Sequence, residues 1–308
     1  MPGAYAHLTL VNLLREPARL EARPDFPLAA IAALMFHFKY CELGAVSPDY
    51  PYLALENRGD ACRWADLMHY EDTGAVIHQA VAALRELSGH DQQKGLAWLL
   101  GYTAHVVADV TIHPVIERKV GPYHDNQRDH RVCEMHQDAH IFRRLRLGEI
   151  GLSEHLDSGI GRCGAGELDP LIAGLWSRVL GQVHPGEYQR NPPQPAHWHR
   201  DFNLVVDNIA EEGNRLLPFA RHLGVKAGLT YPRGDEVDDQ YLKALDTPAG
   251  PLDYDAIFDR ALANVCRHWA LVASAVLEGD DRYLSAIGNW NLDTGRDPAG
   301  RLVMWEDA

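Results

Sequence analysis

The chain lacks most of the features that mark common small folds and sites. Its five cysteines, at positions 41, 62, 133, 163 and 266, are odd in number and never spaced as CxxC. That excludes a fully paired disulfide framework and a thiolate zinc ribbon, and free thiols suit a reducing compartment. The opening stretch, MPGAYAHLTLVNLLREPARL, has no basic segment followed by an apolar one, so no secretory signal is read there. The expected location is cytoplasmic, with export by a non-classical route left open. The longest clean apolar run, Leu28 to Phe36, is too short to span a bilayer; no transmembrane segment is expected, and any membrane contact would be peripheral. There is no Gly-rich phosphate loop, no strand–helix alternation and no internal repeat. Positive charge is scarce too: 29 Lys and Arg face 43 Asp and Glu, for a net charge of −14. Such a field does not attract a phosphate backbone, so a long nucleic acid is an unlikely partner.

What remains is a helical chain of 308 residues, 46% hydrophobic, enough for a sizeable core without covalent staples. Apolar spacing predicts helices over Ala4–Arg15, Phe26–Tyr40, Thr73–Leu87, 130–147, Asp169–Leu180, Ala196–His222 and Tyr254–Glu278. A short turn is expected through Trp64 to His69, and a long central helix from Asp91 to about Pro114. Loops are expected at 41–52, 121–129, 153–166 and Val183–Pro195. Ala227–Leu252, rich in Gly, Pro and Asp, reads as an ordered loop or lid. The last 20 residues show no periodicity. The expectation is an all-α protein of one domain over 1–308.

Histidine is plentiful, 17 residues, and its spacing carries the chemistry. In the apolar stretch LAWLLGYTAHVVADVTIHPV, His105, Asp109 and His113 recur every four residues. On a helix each such step turns by about 40°, so the three project from one stripe roughly 80° wide. Burying them unpaired would be costly, and a divalent cation would neutralise them together. A second pair at the same separation, His130 and Glu134, follows about 25 residues later; such pairs put two donors over one patch of helix surface. His7, Asp49 and His69, each beside apolar or aromatic residues, bring the inventory to five His and three carboxylates. Taken singly each has a plain structural use: Asp49 as a turn residue, His7 or His69 bonded to a carbonyl, His130–Glu134 as an exposed helical pair. The ordered set favours a metal centre.

In order and kind, His7, Asp49 in GAVSPDYP, His69 in WADLMHY, HVVADVTIH and HRVCE resemble the zinc-dependent phospholipase C family, which shares its fold with P1/S1-type nucleases. The segment AWLLGYTAHVVADVTIH looks most like the domain of glycosylphosphatidylinositol-specific phospholipase D. The resemblance covers roughly the first 145 residues. It implies a multi-helix bundle around up to three Zn2+ ions. Asp49, His69, His105 and Asp109 would hold the first; Asp109 would bridge to a second, shared with His7 and the chain's terminal amine; His113, His130 and Glu134 would hold the third. Secreted members begin at a Trp that binds metal, whereas this chain begins Met-Pro, so Pro2 would present its amine after loss of Met1. The short gap from Asp109 to His113 makes His124 the substitute should His113 not serve. His136, His140, Asp66 and Asp72 are expected at the surface or behind the ligands, with Asp72 also able to cap a helix.

The implied activity is phosphoester hydrolysis by a zinc-activated hydroxide, with Asp49 as general base and a phospholipid as the leading substrate. The alternatives are a P1/S1-like nuclease or small-molecule phosphodiesterase, and a non-catalytic metal-binding module. Ligands enough to leave open positions weigh against the last, since structural zinc sites are usually closed.

Overall fold

The structure, a computed structural model, describes residues 3–148, 159–164, 167–213 and 231–306, with backbone alone for 205–213. In chain order the helices are α1 (Ala4–Leu14), α2 (Pro17–Glu21), α3 (Leu28–Val46), α4 (Arg58–Tyr70), α5 (Thr73–Arg85), α6 (Gly89–Val120) and α7 (Tyr123–Phe142). They continue with α8 (Pro170–Val183), α9 (Pro185–Arg190), α10 (Pro195–Gly213), α11 (Tyr254–Glu278) and α12 (Tyr283–Ala286). Among the described residues there is no strand, and two isolated bridges, Leu245 with Leu252 and Asn291 with Arg296, pin loops. The fold is the expected all-α one.

Helix α6 is the axle. Every residue from Gly95 to Ile116 is buried, because α3 and α11 pack along it and α1, α5, α7 and α8 close around it. That encirclement explains a helix apolar on all sides rather than along one stripe. By length and composition α6 and the stretch Leu28–Leu53 could each cross a bilayer, yet the apolar window of α6 lies wholly inside the protein. By contrast α8 and α11 are amphipathic and bury one face. The buried apolar residues form one cluster running from Ala6 to Trp305.

Helices α3 and α6 cross at a pair of glycines. A Cβ on Gly44 would stand 2.0 Å from the Trp98 carbonyl oxygen, and one on Gly101 would stand 1.9 Å from that of Cys41. Neither clash could be relieved without separating the helices, so only glycine permits this approach. Gly44 and the prolines of 41–52 predict a loop. Instead α3 runs on to Val46 and a 3-10 turn covers Ser47–Leu53. Here glycine marks close packing, not a break.

Other boundaries differ for identifiable reasons. α3 starts at Leu28 rather than Phe26, since Pro27 sits just outside it in an extended conformation. The turn before His69 is a full helix, α4. α6 continues past Pro114 to Val120. The polar stretch 121–129 is mostly helical, with a kink at Asn126. α9 occupies part of the loop expected over Val183–Pro195. Most of 153–166, the end of the helix expected to reach His222, and 227–230 lie outside the described residues. Helix α11 spans Tyr254–Glu278, as its spacing predicted.

Candidate metal centre

Three elements converge on the stripe of α6. His7 comes from α1, Asp49 from the 3-10 turn after α3 and His69 from the last turn of α4, to meet His105 and Asp109. Asp109 lies between two rings: Oδ1 is 3.2 Å from His7 Nε2 and Oδ2 is 3.2 Å from His105 Nε2. Asp49 Oδ1 is 3.3 Å from His69 Nε2 and 3.9 Å from His105 Nε2. The rings of His7 and His105 stack with centroids 4.1 Å apart. Two triads, His7–Asp49–His105 and His69–His105–Asp109, have ligand atoms all within 4.8 Å of one another.

The backbone fixes which nitrogen faces this cluster. His105 Nδ1 is 2.9 Å from the Ala45 carbonyl oxygen and His69 Nδ1 is 2.7 Å from that of Ala65. A carbonyl can only accept, so both Nδ1 atoms carry the proton and each neutral ring turns a bare Nε2 towards a carboxylate oxygen. Lone pair facing lone pair at 3.2–3.3 Å is unfavourable unless a cation lies between them. A proton can serve: burial opposes charge on His105, but Asp109 and Asp49 outweigh it and raise its pKa to about 9. Burial likewise pushes the Asp109 carboxyl up, while His105, His7 and His113 prevail and hold it well below its usual range. His7 stays lowered, by burial first and then by the charge of His105.

His113, His130 and Glu134 form a looser group beside this one. His130 Nε2 donates to the Gly121 carbonyl oxygen at 2.6 Å, which leaves Nδ1 facing Glu134 Oε1 at 4.0 Å. Burial raises the Glu134 carboxyl, and the charges of Asp109 and Asp49 add to the effect. Across the two groups nine buried atoms make no hydrogen bond: both ring nitrogens of His7, Asp49 Oδ1, His69 Nε2, His105 Nε2, both oxygens of Asp109, His113 Nε2 and His130 Nδ1. Each unmade bond costs about 1–3 kcal/mol. Imidazole and carboxylate donors suit zinc, and so many of them orphaned together fit a multi-metal centre.

A model of the zinc-dependent phospholipase C family matches residues 6–186, more than half of the chain. The chain belongs to that family. No curated protein and no solved structure matches it. It is accordingly a zinc-dependent phosphodiester hydrolase.

The enzyme's matched segment contains all eight expected ligands from His7 to Glu134. Pro2 lies outside the described residues. His124, the substitute for His113, is exposed and paired with Asp125 at 2.8 Å, whereas His113 is 1% exposed. His136 is buried, not superficial: its Nδ1 accepts from the Asp238 amide at 3.0 Å, tying the loop near 238 to α7. His140 Nε2 lies 2.7 Å from Asp255 Oδ2 and joins α7 to α11. Asp66 accepts from the Tyr52 hydroxyl at 2.9 Å, and the Tyr52 ring lies against His69. Asp72 does not cap α5 with its side chain. Asn289 does so from the far end of the chain, its Oδ1 accepting from the Gly74 and Ala75 amides at 3.1 Å each.

One supporting residue carries no spacing signal strong enough to single it out in the sequence. Asp138 is fully buried on α7, one helical step beyond Glu134. Its Oδ1 accepts from the Ala6 amide at 2.9 Å; its Oδ2 accepts from the Tyr5 amide at 3.3 Å and the Tyr231 hydroxyl at 3.1 Å. It thus caps the start of α1 from a distance and sets the position of His7. Burial, then the charge of Glu134, pushes its pKa up to about 8. The spacing His130–Glu134–Asp138 was the available signal.

Proposed function

We propose that the enzyme is a phospholipase C that cleaves a phospholipid to diacylglycerol and a phosphorylated head group. The observation that carries this reading is the buried His–Asp cluster with one accessible carboxylate. On this reading Asp49, His69, His105 and Asp109 would hold one metal, Asp109 and His7 a second together with the amine of Pro2, and His113, His130 and Glu134 a third. Zinc bound there supplies a Lewis acid that acidifies water and stabilises charge on phosphate oxygens. Asp49 acts as the general base. Its side chain is 17% exposed, against 0–2% for the histidines and Asp109. Burial pushes its carboxyl up, but His105 and His69 outweigh that and keep it ionised, able to take a proton from an attacking water. An apolar stripe on α3 supports contact with a lipid surface: Leu28, Met35 and Phe36 are exposed and, seven and eight residues apart, share one side of the helix.

The test is an assay of zinc-loaded and chelator-treated protein on phosphatidylcholine vesicles, bis-p-nitrophenyl phosphate and single-stranded DNA. The expected result is zinc-dependent turnover, greatest on the lipid. Greater turnover on DNA would move the substrate to nucleic acid, and no zinc-dependent turnover on any of the three would leave a metal-binding module.

A further inference from the structure

The stretch 289–296 lies beyond the family-matched segment, yet it is built into the wall of the metal centre. Besides the Asn289 cap on α5, the Thr73 hydroxyl and the Trp290 backbone exchange two hydrogen bonds of 2.8 Å. The Leu292 amide donates to the carbonyl oxygen of His69 at 2.9 Å, and that of Asn291 to Arg296 at 2.9 Å. Gly295, at φ +65°, nests where α6 carries Pro114. A Cβ there would stand 2.3 Å from the Pro114 ring and 2.6 Å from the Val110 carbonyl oxygen, an oxygen whose usual helical partner the proline lacks. The loop is therefore located by the very elements that carry His69 and His113.

At its tip stands Asp293, with a side chain 16% exposed. The Tyr70 hydroxyl donates to its Oδ2 at 2.8 Å. Its Oδ1 is left 3.8 Å from His113 Nδ1. That gap is too long for a hydrogen bond, but it fits two donors on one ion, since zinc–ligand bonds of about 2.0–2.1 Å set neighbouring ligands roughly 3–4 Å apart. The charge of Asp293 also acts on His130 and on Tyr123, whose ring meets that of His130 edge-on at 5.3 Å. Asp293 thus faces the looser group, where two imidazoles and Glu134 offer a single negative charge.

We propose that Asp293 supplies a second carboxylate to the metal position of His113, His130 and Glu134. The proposal rests on the metal-centre reading above and sharpens it. Two carboxylates balance a divalent ion, and four protein donors close the position in the manner of sites that hold a metal rather than activate water. This position then keeps positive charge beside the reacting phosphate, and water activation falls to the Asp49–Asp109 side.

The experiment measures zinc content and affinity in graded zinc buffers, by elemental analysis and by competition with a chromophoric chelator, for the unaltered protein, Asp293→Asn and Tyr70→Phe. Circular dichroism of the metal-free forms verifies folding. The expected result is three zinc equivalents in the unaltered protein, with one lost or held at least ~10-fold more weakly in Asp293→Asn, a smaller loss in Tyr70→Phe, and the other two unchanged. Cobalt substitution should show the matching loss of one set of visible absorption bands. Equal number and affinity of zinc in folded Asp293→Asn would overturn the proposal. Only two equivalents in the unaltered protein would overturn it while leaving the phosphoesterase reading intact; none at all would sink both.

Discussion

The two halves of the candidate metal centre are built differently. Around Asp49 and Asp109, carboxylate oxygens and ring nitrogens approach to 3.2–3.9 Å, and the rings of His69 and His105 are each fixed by a backbone carbonyl. Around His113 and His130 the separations are 3.8 and 4.0 Å, and the carbonyl holding His130 belongs to Gly121, where α6 ends. The first half sits on crossing helices locked by glycines. The second depends on a helix end, a kinked helix and a loop from the far end of the chain. Tight packing thus preorganises the first group of candidate ligands, while the second is assembled by residues that must fold from a distance.

The strongest way to break this comparison is Asp109→Asn. The residue faces both His7 and His105, so the variant should lose activity by more than ~100-fold, beyond the usual cost of changes behind the ligands, with a lower zinc count by elemental analysis. Near-normal turnover would remove Asp109 from the centre.

A gentler change attacks the packing instead of a ligand. Gly44→Ala should force α3 from α6, at a cost of about 1–3 kcal/mol, and draw the Ala45 carbonyl away from His105. Denaturant unfolding should register that loss, and zinc titration a weaker affinity in the first half. Unchanged affinity in a destabilised variant would mean that the carbonyl does not tune His105.

A pH-dependent effect concerns Asp138. Its pKa is about 8 in the fold, against an ordinary 3.8. Between those values the folded chain holds a proton that the unfolded chain has released, so stability falls as pH rises through this window and levels off above about 8. Metal-free Asp138→Asn carries no such proton and should show a shallower fall in melting temperature from pH 5 to pH 8. Identical slopes would show that Asp138 is ionised in the fold throughout.

By itself the sequence determined the helical class, the long central helix and the two spaced sets His105–Asp109–His113 and His130–Glu134, because an i,i+4 stripe is a local property that needs no partner to be seen. Helix α11 was legible end to end for the same reason: its apolar face repeats with the helical period. Tertiary structure alone decided what glycine and proline mean in this chain. Gly44 is a crossing point rather than a stop, and Pro114 lies inside α6, where Gly295 packs against it. It also decided what surrounds the ligands. Asp138 reaches α1 across 132 residues of sequence, the Ala45 carbonyl reaches His105 across 60, and Asp293 comes from a stretch with no periodicity to read. Carbonyls, caps and distant carboxylates are chosen by proximity in the folded chain, and no spacing along the sequence records that proximity.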